Sequence, residues 1–201
     1  MNDIYKTVNR LSTGEFKDRG SKFLSFVYPI NNEDDVKNIL TEIKKKYHDA
    51  RHHCYAFSLG ADKDYYRVND DGEPSGTAGK PIYNQILSYD LTNVLIIVVR
   101  YFGGTLLGTG GLINAYRNAA ADSLRNAEVI EKTVNDTLDL IFDYTDINDV
   151  HRLVDIYECR IVDQTFQENC HFRLQVRKSR TKELTEALSG FKNIKFNMHI
   201  N

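Results

Sequence analysis

The stretch 138-LDLIFDYTDINDVHRLVDIY-157 carries the change of hydrophobic period that decides the fold of the second half of the chain. Leu138, Leu140, Phe142 and Tyr144 alternate with Asp139, Ile141 and Asp143, the period of two expected of a strand with one buried face. Past Tyr144 the period lengthens. Val150, Leu153, Val154 and Tyr157 recur at i, i+3, i+4 and i+7, the stripe of a helix that Asp146 or Asn148 caps. Two further strands follow, one over 160–166 and one in which Phe172, Leu174 and Val176 alternate with Arg173, Gln175 and Arg177. A short helix carries Leu184 and Leu188 and stops at Gly190, where a left-handed cap is expected. Ile194, Phe196, Met198 and Ile200 make the last strand. The order is βαββαβ, the split-βαβ ferredoxin-like plan. The outer face of that sheet carries Arg173, Gln175, Arg177, Lys195, Asn197 and His199, while Phe142, Tyr144, Phe172 and Phe196 face its core. A sheet that stacks RNA bases needs its aromatics outward, so this segment is no RNA-recognition motif.

Upstream, the style of the sequence changes near 127–136. Eleven of the 12 glycines precede that stretch, and Gly190 alone follows it. The chain therefore divides into an N-terminal segment, 1–130, and a C-terminal segment, 131–201. At 201 residues it is long enough for two small domains. A hydrophobic share of 41% and a charged share of 27% are those of a folded globular chain. Lys+Arg 26 against Asp+Glu 28 gives a net charge of −2, which supplies no overall field for nucleic acid or membrane. The longest apolar run, Val94 to Val99, is far short of the roughly 20 residues that cross a bilayer. The N-terminus has no apolar signal core. Three unspaced cysteines cannot form a fully paired disulfide framework. A cytoplasmic protein without membrane contact is expected.

The N-terminal segment is mixed α and β, so the whole chain reads as α+β. Strands are expected over 15–18 and 22–29. Asn31 or Asn32 then caps a helix with Glu33, Asp34 and Asp35 in its first turn and Lys44, Lys45 and Lys46 in its last, both clusters suiting the helix dipole. The next strand puts Tyr55, Phe57 and Leu59 on one face and Cys54, Ala56 and Ser58 on the other. After a polar loop, 82–87 is helical, Val94–Val99 is a strand buried on both faces, and a helix runs from Leu112 with Tyr116, Ala120 and Leu124 in register.

Chemistry concentrates in 70-DDGEPSGTAGKP-81 and 100-RYFGGTLLGTGGLINAYRNAAADSL-124. Gly103, Gly104, Gly108, Gly110 and Gly111 lie between a strand and a helix. There, backbone N–H groups and the positive helix end can hold an anion, and glycine admits a ligand close to the chain. Arg100 and Arg117 bracket the glycines, and Ser75, Thr77 and Lys80 come from the first loop. These ten residues form the expected anion or nucleic-acid groove. Nucleotide fingerprints fail: Gly103 and Gly108 have the P-loop spacing, but Thr109 stands where lysine is required. The dinucleotide fingerprint that begins at Gly108 and Gly110 meets Ile113 at its third glycine position. Asp70, Asp71 and Glu73 miss the calcium-loop pattern and read as a solvated turn. Ser75 lacks the flanking glycines of a nucleophile elbow. His52 and His53 point to opposite faces of a strand and cannot readily share a metal. Neither a metal, a cofactor nor a catalytic residue is expected. Cys54 reads as packed, and His151, His171 and His199 as surface residues.

The pair of motifs DDGEPSGTAGKP (70–81) and VVRYFGGTLLGTGGLINAYRNAA (98–120) resembles the signature of the IMPACT family, in its bacterial YigZ-type form. The resemblance implies an N-terminal domain like the second domain of ribosomal small-subunit protein five, a fold shared with a domain of elongation factor G and with small-molecule kinases of the galactokinase–homoserine kinase group. It implies a ferredoxin-like C-terminal domain similar to another elongation factor G domain. Eukaryotic relatives regulate translation by binding a partner of an initiation-factor kinase, through an additional domain not expected in this chain. For bacterial-type members the resemblance implies a role on nucleic acid or the ribosome, and no catalytic residues. The expected function is thus that of a non-enzymatic protein that binds RNA or the ribosome, with a protein partner in translation control, and regulates translation. The alternative is an enzyme that acts on a phosphorylated small molecule or nucleotide through the same glycine-rich loop.

Overall fold

A computed structural model of the protein describes residues 3–199. Two compact units divide it: residues 5–132, and residues 133–199 together with Asp3 and Ile4. Ile200, expected in the last strand, lies outside the described residues.

The larger unit is built on a five-stranded sheet ordered β2 (Ser12–Asp18), β3 (Ser21–Pro29), β6 (Val94–Tyr101), β4 (His52–Leu59), β5 (Tyr65–Asn69), every neighbour antiparallel. Helix α1 (Glu33–Lys46) joins β3 to β4, and β6 lies between them. Asn32 caps α1: its side chain accepts from the Asp35 N–H at 2.9 Å, while the Asp35 carboxylate accepts from the Asn31 N–H at 2.7 Å, an exchange of the capping-box kind. Val36 and Ile43 of α1 pack with Phe57, Leu95, Ile97 and Val99 on one face of the sheet. On the other face α2 (Gly79–Ser88) and α3 (Gly108–Arg125) bring Ile82, Ile86, Leu112 and Tyr116 onto Phe23, Val27, Ala56, Ile96 and Val98. Strand β6 is therefore covered twice, which is why Val94 to Val99 read as an unbroken apolar run and are fully buried.

Both α2 and α3 begin earlier than their apolar stripes indicate, so Gly108, Gly110 and Gly111 belong to the first turns of α3 rather than to a loop before it. Three strands have no counterpart in the sequence reading. β1 (Ile4–Val8) and β7 (Val129–Thr133) form a two-stranded ribbon. β5 is an edge strand exposed along its whole length, so neither face imposes a period.

The smaller unit runs β8 (Asn135–Phe142), α4 (Ile147–Ile156), β9 (Arg160–Phe166), β10 (Cys170–Arg177), α5 (Lys178–Ser189), β11 (Lys195–His199). Its sheet is ordered β11-β8-β10-β9 and antiparallel throughout, the ferredoxin-like arrangement. Leu138, Leu140, Phe142, Phe172, Leu174 and Val176 are buried against Val150, Leu153, Leu184 and Leu188. Three local expectations are corrected. Tyr144 has left the strand for a 3-10 turn and is half-exposed, its hydroxyl donating to the Gln167 carbonyl. Gly190 ends α5 with φ −73° and ψ −15°, in the right-handed region. Asp146 occupies the N-cap of α4, but its side chain makes no capping bond. The cations of the outer face are largely engaged. Arg173 and His199 both hold Asp139, whose carboxyl they lower to about 2, Arg173 having the larger effect. Arg177 grips Asp3 with two bonds of 2.7 Å.

Candidate functional site

The site forms where β6 ends and the chain turns through Phe102–Leu107 into α3. His52, the first residue of β4, pairs with Arg100 across the sheet, so two cationic segments meet at one edge. The third contributor is the loop at 70–79. The Asp70 carboxylate accepts from three backbone N–H groups, Gly76 at 2.9 Å, Ala78 at 3.0 Å and Gly79 at 2.8 Å. That wrapping turns Glu73 inward. Its side chain is 4% exposed and accepts from Arg100 Nη1 at 2.6 Å and from the Tyr116 hydroxyl at 2.8 Å. The acidic cluster is thus not a solvated turn. Asp70 organises the loop, Asp71 accepts from the His53 N–H at 2.7 Å, and Glu73 closes a buried ion pair.

Proton positions follow from the partners. His52 Nδ1 lies 2.8 Å from the Asp71 carbonyl oxygen, which can only accept, so Nδ1 carries a hydrogen. Nε2 lies 3.9 Å from Glu73 Oε1. The contacts of Glu73 with Arg100, Tyr116 and His52 all fall on Oε1, and Oε2 has no protein partner among the described residues. Burial pushes the Tyr116 hydroxyl far above its ordinary range, and the neighbouring Cys54 and Glu73 add to that. Burial likewise raises the Cys54 thiol, which is fully buried and faces the Asp70 carbonyl and the Tyr116 hydroxyl. A thiol so held is inert as a nucleophile.

His52, Glu73 and Arg100 line a cavity of about 330 Å³, at the small end of the roughly 300–1,000 Å³ typical of ligand pockets. Its polar lining is Arg51, His52, Glu73, Arg100 and Thr109, and its apolar wall is Phe102, Leu106, Leu107 and Leu112. Two guanidinium groups face one carboxylate, so a single positive charge is left over, besides the imidazole. Both guanidiniums lie within cation–π reach of Phe102, Arg51 at 5.8 Å and Arg100 at 5.6 Å. Arg100 Nε is buried and has no acceptor among the described residues. Among the described residues no side chain caps α3, whose first residues, Gly108 and Thr109, line the cavity, and the first N–H groups of a helix have no partner within it.

Of the residues expected in the groove, Arg100 and Gly108 line the cavity. Gly104 and Gly108 adopt φ +86° and φ +70°, and a side chain at either would meet nothing within 4 Å. Gly110 is equally open, and Gly111 touches Leu107. Gly103 serves packing: a Cβ there would lie 1.9 Å from the Gly20 carbonyl carbon. Thr77 is buried, its hydroxyl donating to the Pro74 carbonyl, and Ser75 and Lys80 are exposed outside the lining. Arg117 is exposed on α3, nine residues past Gly108 and so about 13 Å along the axis. Sequence reasoning missed Arg51 altogether and weighed His52 only as a metal ligand. Among the described residues, no group of His, Cys, Asp or Glu is arranged to hold a metal ion.

A three-layered, glycine-rich α/β unit followed by a ferredoxin-like unit is the class these features define. The Impact N-terminal domain matches residues 19–124, and a domain of unknown function, DUF1949, matches residues 140–191. The chain is 36% identical to an IMPACT family member of Haemophilus influenzae over 176 residues, covering 85% of each. It is 31% identical to the IMPACT family member YigZ of Escherichia coli, again over 85% of each. A crystal structure described as that of a hypothetical protein superposes with a TM-score of 0.74 at 27% identity, covering 100% of this chain and 99% of that one. The chain belongs to the IMPACT family.

Proposed function

We propose that the protein is a non-enzymatic, cytoplasmic binding protein that engages RNA or the ribosome, together with a protein partner in translation control, and so regulates translation. The observation that carries this reading is the cavity at the start of α3, where an uncapped helix end, two arginines and an open glycine backbone converge. Membership of the IMPACT family supports it through the ribosome-associated role that the resemblance implies. The outer face of the C-terminal sheet contributes little, because Arg173, His199 and Arg177 are already held by Asp139 and Asp3.

Co-sedimentation with ribosomes across a salt series tests the reading. With Arg100 neutralised by Glu73, one arginine–phosphate contact, from Arg51, gives a slope of log affinity against log salt of about −0.7 on single strands, so association should weaken only moderately between low and physiological salt. No association at any salt overturns it. A second reading, an enzyme acting on a phosphorylated small molecule, is favoured by one feature: an imidazole beside a buried carboxylate inside a cavity. Turnover of one compound in a screen of nucleotides and phosphorylated metabolites would establish that reading instead.

A further inference from the structure

We infer that the cavity is a receptor for a single nucleotide, with the phosphate at the start of α3 and the base between Phe102 and Glu73. The inference rests on the reading of this cavity as an RNA contact and narrows it.

A bare phosphate matches the cavity poorly. Glu73 lines it, its Oε2 unpaired, and puts a negative charge next to any anion bound centrally. A ligand that is anionic at one end and rich in N–H donors at the other matches both ends. Arg51 and the uncapped N–H groups of α3 take the anion. Phe102, 40% exposed, and Leu106, 81% exposed, give the base a flat apolar wall. Glu73 Oε2 accepts from an exocyclic amino group on the Watson–Crick edge. Extended single strands are bound on successive aromatic platforms. Among the described residues the rings in the lining are Phe102 and the His52 imidazole, which is held in place by the Asp71 carbonyl, so the cavity reads one base and not a run. Its volume of about 330 Å³ excludes a helix.

An unpaired nucleotide within RNA and a free mononucleotide share this chemistry, and the test separates them. Binding of cytidine and uridine 5′-monophosphates, cytidine and inorganic phosphate to the full chain is measured by calorimetry, beside a single-stranded and a duplex RNA and ribosome co-sedimentation. Cytidine monophosphate should bind more tightly than uridine monophosphate, whose carbonyl would face Glu73. It should also exceed cytidine and phosphate, and single strands should exceed duplex. Arg51→Ala and Leu106→Glu alter exposed side chains, so the fold should survive, checked by unchanged melting. Each should weaken the nucleotide about tenfold, the loss of one charge-assisted contact or the gain of one repulsive charge. If the nucleotide binds no better than phosphate, or neither variant matters, the inference is wrong. Ribosome association that persists in both variants overturns the inference and leaves the proposed function standing. Tight mononucleotide binding without RNA or ribosome association upholds the receptor, assigns it to free nucleotides and overturns the proposed function.

Discussion

Replacing Glu73 by Gln should unfold much of what the loop at 70–79 holds together. Glu73 and Arg100 are 4% and 6% exposed and meet at 2.6 Å. Removing one charge from a buried pair costs about 3–5 kcal/mol, because the other is left uncompensated. Gln keeps an acceptor for the Tyr116 hydroxyl, so the lower figure of about 3 kcal/mol applies. With a urea dependence of about 1–3 kcal/mol per molar, the unfolding midpoint should fall by about 1–3 M. Far-ultraviolet circular dichroism follows this directly, and tyrosine fluorescence is a second probe, since the chain has 12 tyrosines and no tryptophan. The paired replacement Glu73→Leu with Arg100→Met should recover most of the loss, since apolar groups of similar volume commonly stand in for a buried ion pair without cost. A loss under about 1 kcal/mol in Glu73→Gln would mean that water entering the cavity solvates Arg100, and that the pair does not fasten the loop.

Gly103→Ala should lower the melting temperature, since its Cβ would overlap the Gly20–Ser21 backbone. Gly110→Ala should raise it by a few degrees, from a gain of about 0.5–1 kcal/mol in helix propensity. The reverse order in calorimetric melts would refute the packing assignment. Arg177 holds the Asp3 carboxyl well below its ordinary 3.8, so the stability it contributes is present above that value and lost as pH falls through the lowered one. The gap in urea midpoint between the wild type and Asp3→Asn should therefore be full above about pH 4 and shrink towards about pH 2, and a constant gap would refute the linkage. Residues 5–132 expressed alone should melt cooperatively, because both hydrophobic clusters on their sheet are internal to them. A broad, non-cooperative melt would count against independent folding.

Most of the C-terminal unit was legible because β8, β10, α4 and α5 each bury one face, and a buried face writes its period into the chain. Leu138, Leu140 and Phe142 show it at period two, and Val150, Leu153 and Val154 at the helical period. β5 shows the converse. Tyr65, Tyr66, Arg67, Val68 and Asn69 are all exposed, so no selection for a face leaves a pattern to read. Gly190 looked like a left-handed cap by residue type, yet its φ is −73°, since nothing in glycine compels the positive region it permits. At the candidate site, the sequence pointed to the helix terminus and to Arg100, both of which line the cavity, but not to what Arg100 does. Glu73 reaches it from 27 positions away, and His52 meets it only through sheet register. Neither relation has a local signal.

The glycines carry the sharpest distinction between fold and function. A cluster of glycines in a sequence says only that side chains are unwelcome, and here they are unwelcome for different reasons. Gly103 has no room, with backbone atoms within 2.3 Å of where its Cβ would be. Gly104 and Gly108 have room but a positive φ, which L side chains resist. Gly110 has neither constraint: it sits in the first turns of α3, open on all sides. Glycine at a helical position costs about 0.5–1 kcal/mol relative to alanine, and no contact within the protein requires it there. On the reading proposed above, the remaining reason is a ligand at the start of α3, within one turn of the cavity-lining Gly108, that comes closer to the backbone than a methyl group permits. Gly110→Ala should then stabilise the free protein while weakening the nucleotide, and a variant that gains stability with binding intact would remove Gly110 from the site and leave Gly108 as its glycine.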